Sequence, residues 1–171
     1  MAKKKESIKT KQKEMVVAKV NGVAIRAFQV EAGLQSLEWL LRIQTSDKGH
    51  FTPIGNNGWY PKGGSITRFD QQPLESQSIL EACIEAFKVT QDKKWIIEAQ
   101  RCLEWFVGRN DLYISIYDYK TGGCYDSISP TGINRNQGAE STLACLLSFL
   151  NMYSLDNITE IDLGLKIIES E

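Results

Sequence analysis

The stretches QQPLES (Gln71–Ser76) and NQGAEST (Asn136–Thr142) decide how this chain is read. Gln72, Glu75 and Ser76 of the first recur as Gln137, Glu140 and Ser141 of the second, about 65 residues on. Upstream, Leu37-Glu38-Trp39 recurs with nearly the same offset as Leu103-Glu104-Trp105. After each Leu-Glu-Trp comes a long loop rich in Gly and aromatic residues, then the polar cluster that opens a helix. Each unit therefore reads helix, long loop, Gln-x-x-Glu-Ser, helix, and the shared offset makes it a structural repeat. Such units bury their apolar stripes on their neighbours, which gives a stack of helical hairpins.

Apolar spacing of three and four residues places the helices. The first is expected over about 27–44, with Phe28, Leu34, Leu37, Leu40 and Leu41 on one face. The second opens at Pro73, a favourable first-turn position, and stops at Thr90-Gln91-Asp92. The third begins near Lys93, carries Trp95, Ile96, Ala99, Cys102, Leu103 and Phe106, and ends at Gly108, a natural C-terminal cap. The fourth runs from about Asn136 to Tyr153 on Ala139, Leu143, Leu146, Leu147 and Leu150. A weaker helical pattern over 158–168 is interrupted by Gly164. Loops 46–70 and 109–135 are long for a compact helical domain, and loops of that length are usually functional. Ile114–Tyr117 reads as a short strand inside the second. The expected fold is all-α, with antiparallel hairpins over 26–156, a basic and flexible segment over 1–25, and a C-terminal helix or tail over 157–171.

The 171 residues, 42% hydrophobic and 24% charged, describe one ordinary globular domain. Charge is unevenly spread. Six lysines fall within residues 1–13 against Glu6, which leaves the remainder acidic within a net charge of −1. An acidic body gives a phosphate backbone little to hold, so nucleic acid is not an expected partner. No run approaches the ~20 apolar residues of a membrane span. No secretory leader is read at the start, and the four cysteines form no CxxC pair, so a cytoplasmic, reduced protein without a bound metal or other cofactor is expected. The single histidine, His50, is read as a loop hydrogen-bonder rather than a catalyst. Walker, GxGxxG, GxSxG and HExxH motifs are missing.

The segments WYPKGG (59–64), RFDQQPLES (68–76), GRNDL (108–112), TGGCYD (121–126) and NRNQGAEST (134–142) are long and unusual. Through them the chain resembles, over about residues 30–153, an uncharacterised bacterial family of sugar metabolism. That family is similar to the C-terminal part of six-hairpin glycosidase-like (α/α)-toroid proteins, often encoded beside or fused to glycosyltransferases. The resemblance implies a partial (α/α)6-toroid-like array, a saccharide or sugar-containing ligand, and a glycosyltransferase partner. The chain supplies two hairpin units where a closed ring has six, so its open flank implies a homo-oligomer.

Helix N-termini offer free N–H groups and a positive dipole end. Glu75 and Glu140 hold equivalent first-turn positions, where a glutamate either caps the helix or faces a ligand. With Asp70 they are the candidate catalytic carboxyls, since glycoside hydrolysis takes two, one to donate a proton and one as base or nucleophile. Sugars also require bidentate polar groups and an aromatic face. The candidates for that role are Trp59, Tyr60, Arg68, Gln71, Gln72, Asp126, Asn134, Asn136 and Gln137. Other readings stand beside this one. Arg68 and Asp70 would then be an ion pair ordering their loop, Trp59 a loop anchor, and Asp111, Asp118 and Asp126 turn-shaping residues. The whole chain would be a non-catalytic interaction module serving a glycosyltransferase, or a truncated remnant of a longer toroid protein.

Overall fold

The computed structural model describes the backbone of residues 17–20 and 23–168, and side chains from 29 to 155. It divides into two compact units. In the first, β1 (Val17–Val20) pairs antiparallel with β2 (Val23–Arg26), Val17 opposite Arg26 and Val20 opposite Val23. Helix α1 (Ala27–Ile43) follows directly, and the unit ends at Trp39. Residues 1–16, the most basic part of the expected flexible segment, lie outside the described residues.

The second unit runs from Leu40 and is built on α2 (Pro73–Thr90), α3 (Lys94–Phe106) and α4 (Ala139–Ile168). Helix α2 packs on both α3 and α4. Pro73 opens α2 as its fixed φ allows, and Gln91 ends it in the left-handed conformation, donating its N–H to Phe87 O. Helix α3 closes as its Gly108 promised. Gly108 takes φ 109°, and the Arg109 N–H returns to Glu104 O at 2.9 Å, so the last carbonyls are satisfied and the chain turns sharply. The core is densest here: Trp95, Ala99, Cys102, Trp105 and Phe106 are buried, against Ile79, Leu80, Cys83 and Ile84 of α2. Burial of each large side chain contributes about 1.5–3 kcal/mol. All four cysteines are free and buried, and burial pushes the Cys83 thiol up to about 12.

The chain is mostly helical, and four expectations need correction. The fold is not all-α, because two antiparallel strand pairs are present: β1–β2, and β3 (Ser127–Ser129) with β4 (Gly132–Asn134). The second loop's strands are therefore not at Ile114–Tyr117, where Tyr117 makes only an isolated bridge to Cys124. Helix α4 starts at Ala139 rather than Asn136 and continues through Gly164 to Ile168. Its core-facing side is also not the leucine stripe. Ser141, Ala144, Cys145, Ser148, Met152 and Leu155 are buried, whereas Leu143, Leu146, Leu147 and Leu150 face solvent. Small residues let α4 approach its neighbours closely, and Ser148 hides its hydroxyl on Ala144 O at 2.7 Å.

Candidate functional site

Loop 109–126 is positioned from the end of α3. Asn110 is fully buried and donates from Nδ2 to the carbonyls of Trp105 and Ile114, both at 2.8 Å. Its Oδ1 receives the Leu112 N–H at 3.2 Å. This bracket aims the next residue, Asp111, at the first loop. Thr52 Oγ1 donates to Asp111 Oδ2 at 2.6 Å, His50 Nε2 lies 3.2 Å from Oδ1, and Gln71 Nε2 donates to the same carboxylate. Burial pushes the Asp111 carboxyl up, but the hydrogen bonds from Thr52, Gln71 and His50 outweigh it and hold the group below the usual carboxylate range.

Gln71 is the centre of this network. Its Nε2 also donates to Arg68 O at 2.9 Å and Thr52 Oγ1 at 3.2 Å, and its Oε1 receives Trp105 Nε1 at 3.0 Å. Its main chain exchanges both hydrogen bonds with Ile128, each 2.9 Å. One fully buried glutamine thus ties the first loop, the second loop, β3 and α3 together. The sequence reading places Gln71 among ligand-binding residues, whereas it is buried in the scaffold. It takes His50 as a loop hydrogen-bonder and Asp111 as a turn-shaping residue, but does not join them with Thr52 and Trp105 into one network. The Asn110-Asp111 pair, one residue beyond the Gly108 helix stop, was the available signal, since such a pair brackets and aims a loop.

Because β3 is bonded to Gln71 on one side and to β4 on the other, it lies between the starts of α2 and α4. The α4 start is ordered by carboxylates from its own loop. Asp126 receives Gly138 N–H at 2.8 Å and Asn136 Nδ2, while Asn134 Oδ1 receives Asn136 N–H at 3.1 Å. Burial raises the Asp126 carboxyl less than Asn136, Ser141 and the Gly138 N–H lower it, so it lies below its ordinary value. Asp118 receives the Lys120 N–H, Gln137 Nε2 at 2.9 Å and Tyr125 OH at 3.1 Å. Gln137 Oε1 in turn receives Thr121 Oγ1 at 2.9 Å. Asp126, Asn134, Asn136 and Gln137 all lie together, then, with hydrogen bonds already committed to one another or to the loop.

The first loop is different. Residues 55–59 double back on 67–70: Gly55 N–H donates to Thr67 O at 2.7 Å, Asn56 to Asp70 O at 3.0 Å, and Thr67 to Trp59 O at 3.1 Å. The two segments approach so closely that a Cβ at Gly55 would collide with the Phe69 backbone. The Phe69–Asp70 peptide is cis. Trp59 sits in this ribbon with φ 58° and its side chain 62% exposed, so it is not a loop anchor. Tyr60 beside it is also exposed. Arg68 donates to Ile43 O at 3.1 Å rather than pairing with Asp70. Where the loop enters α2, Asp70, Gln72 and Glu75 are each half-buried. Gln72 is the N-cap yet makes no side-chain cap bond, and Glu75 accepts none of the free N–H groups, so neither caps α2. Burial pushes the Glu75 carboxyl above the usual glutamate range. Glu140, its counterpart on α4, is exposed.

No protein-family model matches this chain, and no curated protein matches it. Among the described residues no three His, Cys, Asp or Glu side chains gather as a metal site would require. No helix among them is long and apolar enough to cross a membrane. A cleft lined by Glu81, Ile84, Glu85, Lys88 and Asn151 lies eight to fifteen residues along α2 from Pro73, about 12–22 Å away. Its polar groups are mutually engaged, Glu81 by Gln77 and Asn151, and Glu85 by Lys88.

Proposed function

We propose that the start of α2, with the ribbon that leads into it, binds a saccharide through Trp59, Asp70, Gln72 and Glu75. The observation that supports this is one of unused capacity. Asp70, Gln72 and Glu75 are half-buried, fall within six residues at the junction of loop and helix, and make no side-chain hydrogen bond or ion pair among the described residues. Partly desolvated polar groups cost stability unless something meets them, and a ring of hydroxyls does so. Trp59 adds the aromatic face on which the C–H side of a sugar stacks. An exposed tryptophan held at positive φ is not explained by packing, and the left-handed conformation costs it about 1–2 kcal/mol.

Within this reading Glu75 is the group fitted to donate a proton, since burial keeps its carboxyl protonated to a higher pH than an exposed glutamate. Asp126, Asn134, Asn136 and Gln137 are committed to shaping the α4 junction, so in this reading they and the exposed Glu140 stand outside the binding site. The wider architecture is proposed as a partial (α/α)-toroid-like array of the kind found with glycosyltransferases.

Ligand-observed NMR against monosaccharides, disaccharides, sugar phosphates and nucleotide sugars tests the proposal. Binding is expected to vanish in Trp59→Ala and Asp70→Asn while the far-UV circular dichroism and Tm stay as in the parent. Glu75→Gln is expected to keep binding and to remove any turnover. Silence of the folded protein across the panel would overturn saccharide binding and leave the non-catalytic interaction module as the better reading.

A further inference from the structure

From Ser141 to Leu155, α4 carries no charged residue, yet only half of its circumference is buried. Leu143, Leu146, Leu147 and Leu150 are exposed by 57%, 44%, 40% and 56%, and Tyr153 continues the line at 67%. Spacings of three and four residues place them on one continuous stripe. The solvent sides of α2 and α3 show only scattered apolar residues, Leu74 and Val89 on the one and Ile97 on the other. They carry Glu85 and Lys88 in the one case, and Lys94 and Gln100 in the other.

We infer that this stripe is the interface of a homodimer, in which a second copy lays the same stripe antiparallel across a twofold axis near Leu147. Area supports the assignment. Four half-exposed leucines and a tyrosine present on the order of 500 Å² per copy, as large as the biggest apolar patch of a typical monomer. Two such patches face to face remove roughly 1,000 Å² from water, which is the size a specific interface needs. Charge narrows the occupant. The stripe holds no group to complement a charged peptide or an anionic surface, and the lysine-rich residues 3–13 bring no apolar line to lay on it. A twofold pairing is self-complementary, so the stripe meets a surface identical to itself.

Sedimentation equilibrium of the full chain, from low to high micromolar concentration, is expected to give twice the 19.3 kDa chain mass. The double variant Leu146→Glu with Leu150→Glu is expected to sediment as a monomer of unchanged helicity. Because the four native cysteines are buried, an added surface cysteine reports position cleanly. Leu147→Cys is expected to form a disulfide-linked dimer under mild oxidation, and Ile97→Cys, the more exposed of the two but on α3, is not. A parent protein that stays monomeric, a dimer undiminished in the double variant, or equal cross-linking at both positions would overturn the interface. If the double variant fails to fold, the cysteine pair decides alone.

Discussion

The two loop-to-helix junctions look alike in sequence and are built to different depths. At each, an amide side chain just before the helix donates to an aspartate from the second loop: Gln71 to Asp111, and Asn136 to Asp126. Gln71 is fully buried and four structural elements depend on it, whereas Asn136 is exposed and holds only its own turn. A first-turn glutamate follows in both, half-buried as Glu75 and exposed as Glu140. Equal spacing therefore marks equal architecture but not equal duty. At the first junction the scaffold has taken Gln71 and left Asp70, Gln72 and Glu75 at liberty. At the second, Asn136 and Gln137 are consumed in shaping the loop.

The largest effect expected from breaking this comparison is at Gln71. Replacement by Leu strands Trp105 Nε1 and removes a donor from Asp111 inside a buried network, at a cost of about 3 kcal/mol. For a chain of this size that is a fall in Tm of roughly 10 °C, readable by calorimetry. Asn136→Leu, the matching change at the exposed junction, is expected to stay within about 1 kcal/mol. Equal losses at the two positions would erase the distinction.

Asp111→Asn comes next, at about 2 kcal/mol near neutral pH. The folded carboxyl lies below its ordinary value of 3.8. Its contribution is therefore fully present above the unfolded value and is lost as pH falls below 3.8 through the folded one. Chemical denaturation from neutral to acidic pH is expected to show parent and variant converging in that range. Asp126→Asn removes a charged acceptor from the first free N–H groups of α4, and about 1 kcal/mol is expected, as for loss of a helix cap.

Glu75→Gln is the smallest change and the most informative. Burial without a partner raises this carboxyl, so its ionised form weakens the fold above the raised value and the penalty is absent below 4.5. The variant is expected to match or slightly exceed the parent in Tm near neutral pH. A clear loss of stability would mean that Glu75 serves the helix, and not a ligand.

Much of the fold was legible because local chemistry fixes it. Proline at the head of α2, glycine at the end of α3 and aromatic residues at helical spacing each act within a few residues. Helix α4 was legible as a helix but not in its orientation. Periodicity finds an apolar stripe, and α4 has two: a small-residue face that the core needs for close approach, and a leucine face that it does not. The roles of Gln71 and Asp111 were hidden for a related reason. They depend on contacts spanning up to 61 residues of sequence, and a buried polar residue and a ligand-binding one are chemically the same until depth is known. The strands at 127–129 and 132–134 escaped because each holds only three residues, too few to display alternation.

The most direct test is a ¹H–¹⁵N correlation spectrum of the full chain, titrated with whichever saccharide the ligand panel selects. Shifts concentrated on Trp59, Tyr60 and residues 70–75, with little movement at 134–140, are the expected result. Perturbations centred on 134–140 with 70–75 unmoved would contradict it, and would place the free binding capacity at the junction assigned here to structure.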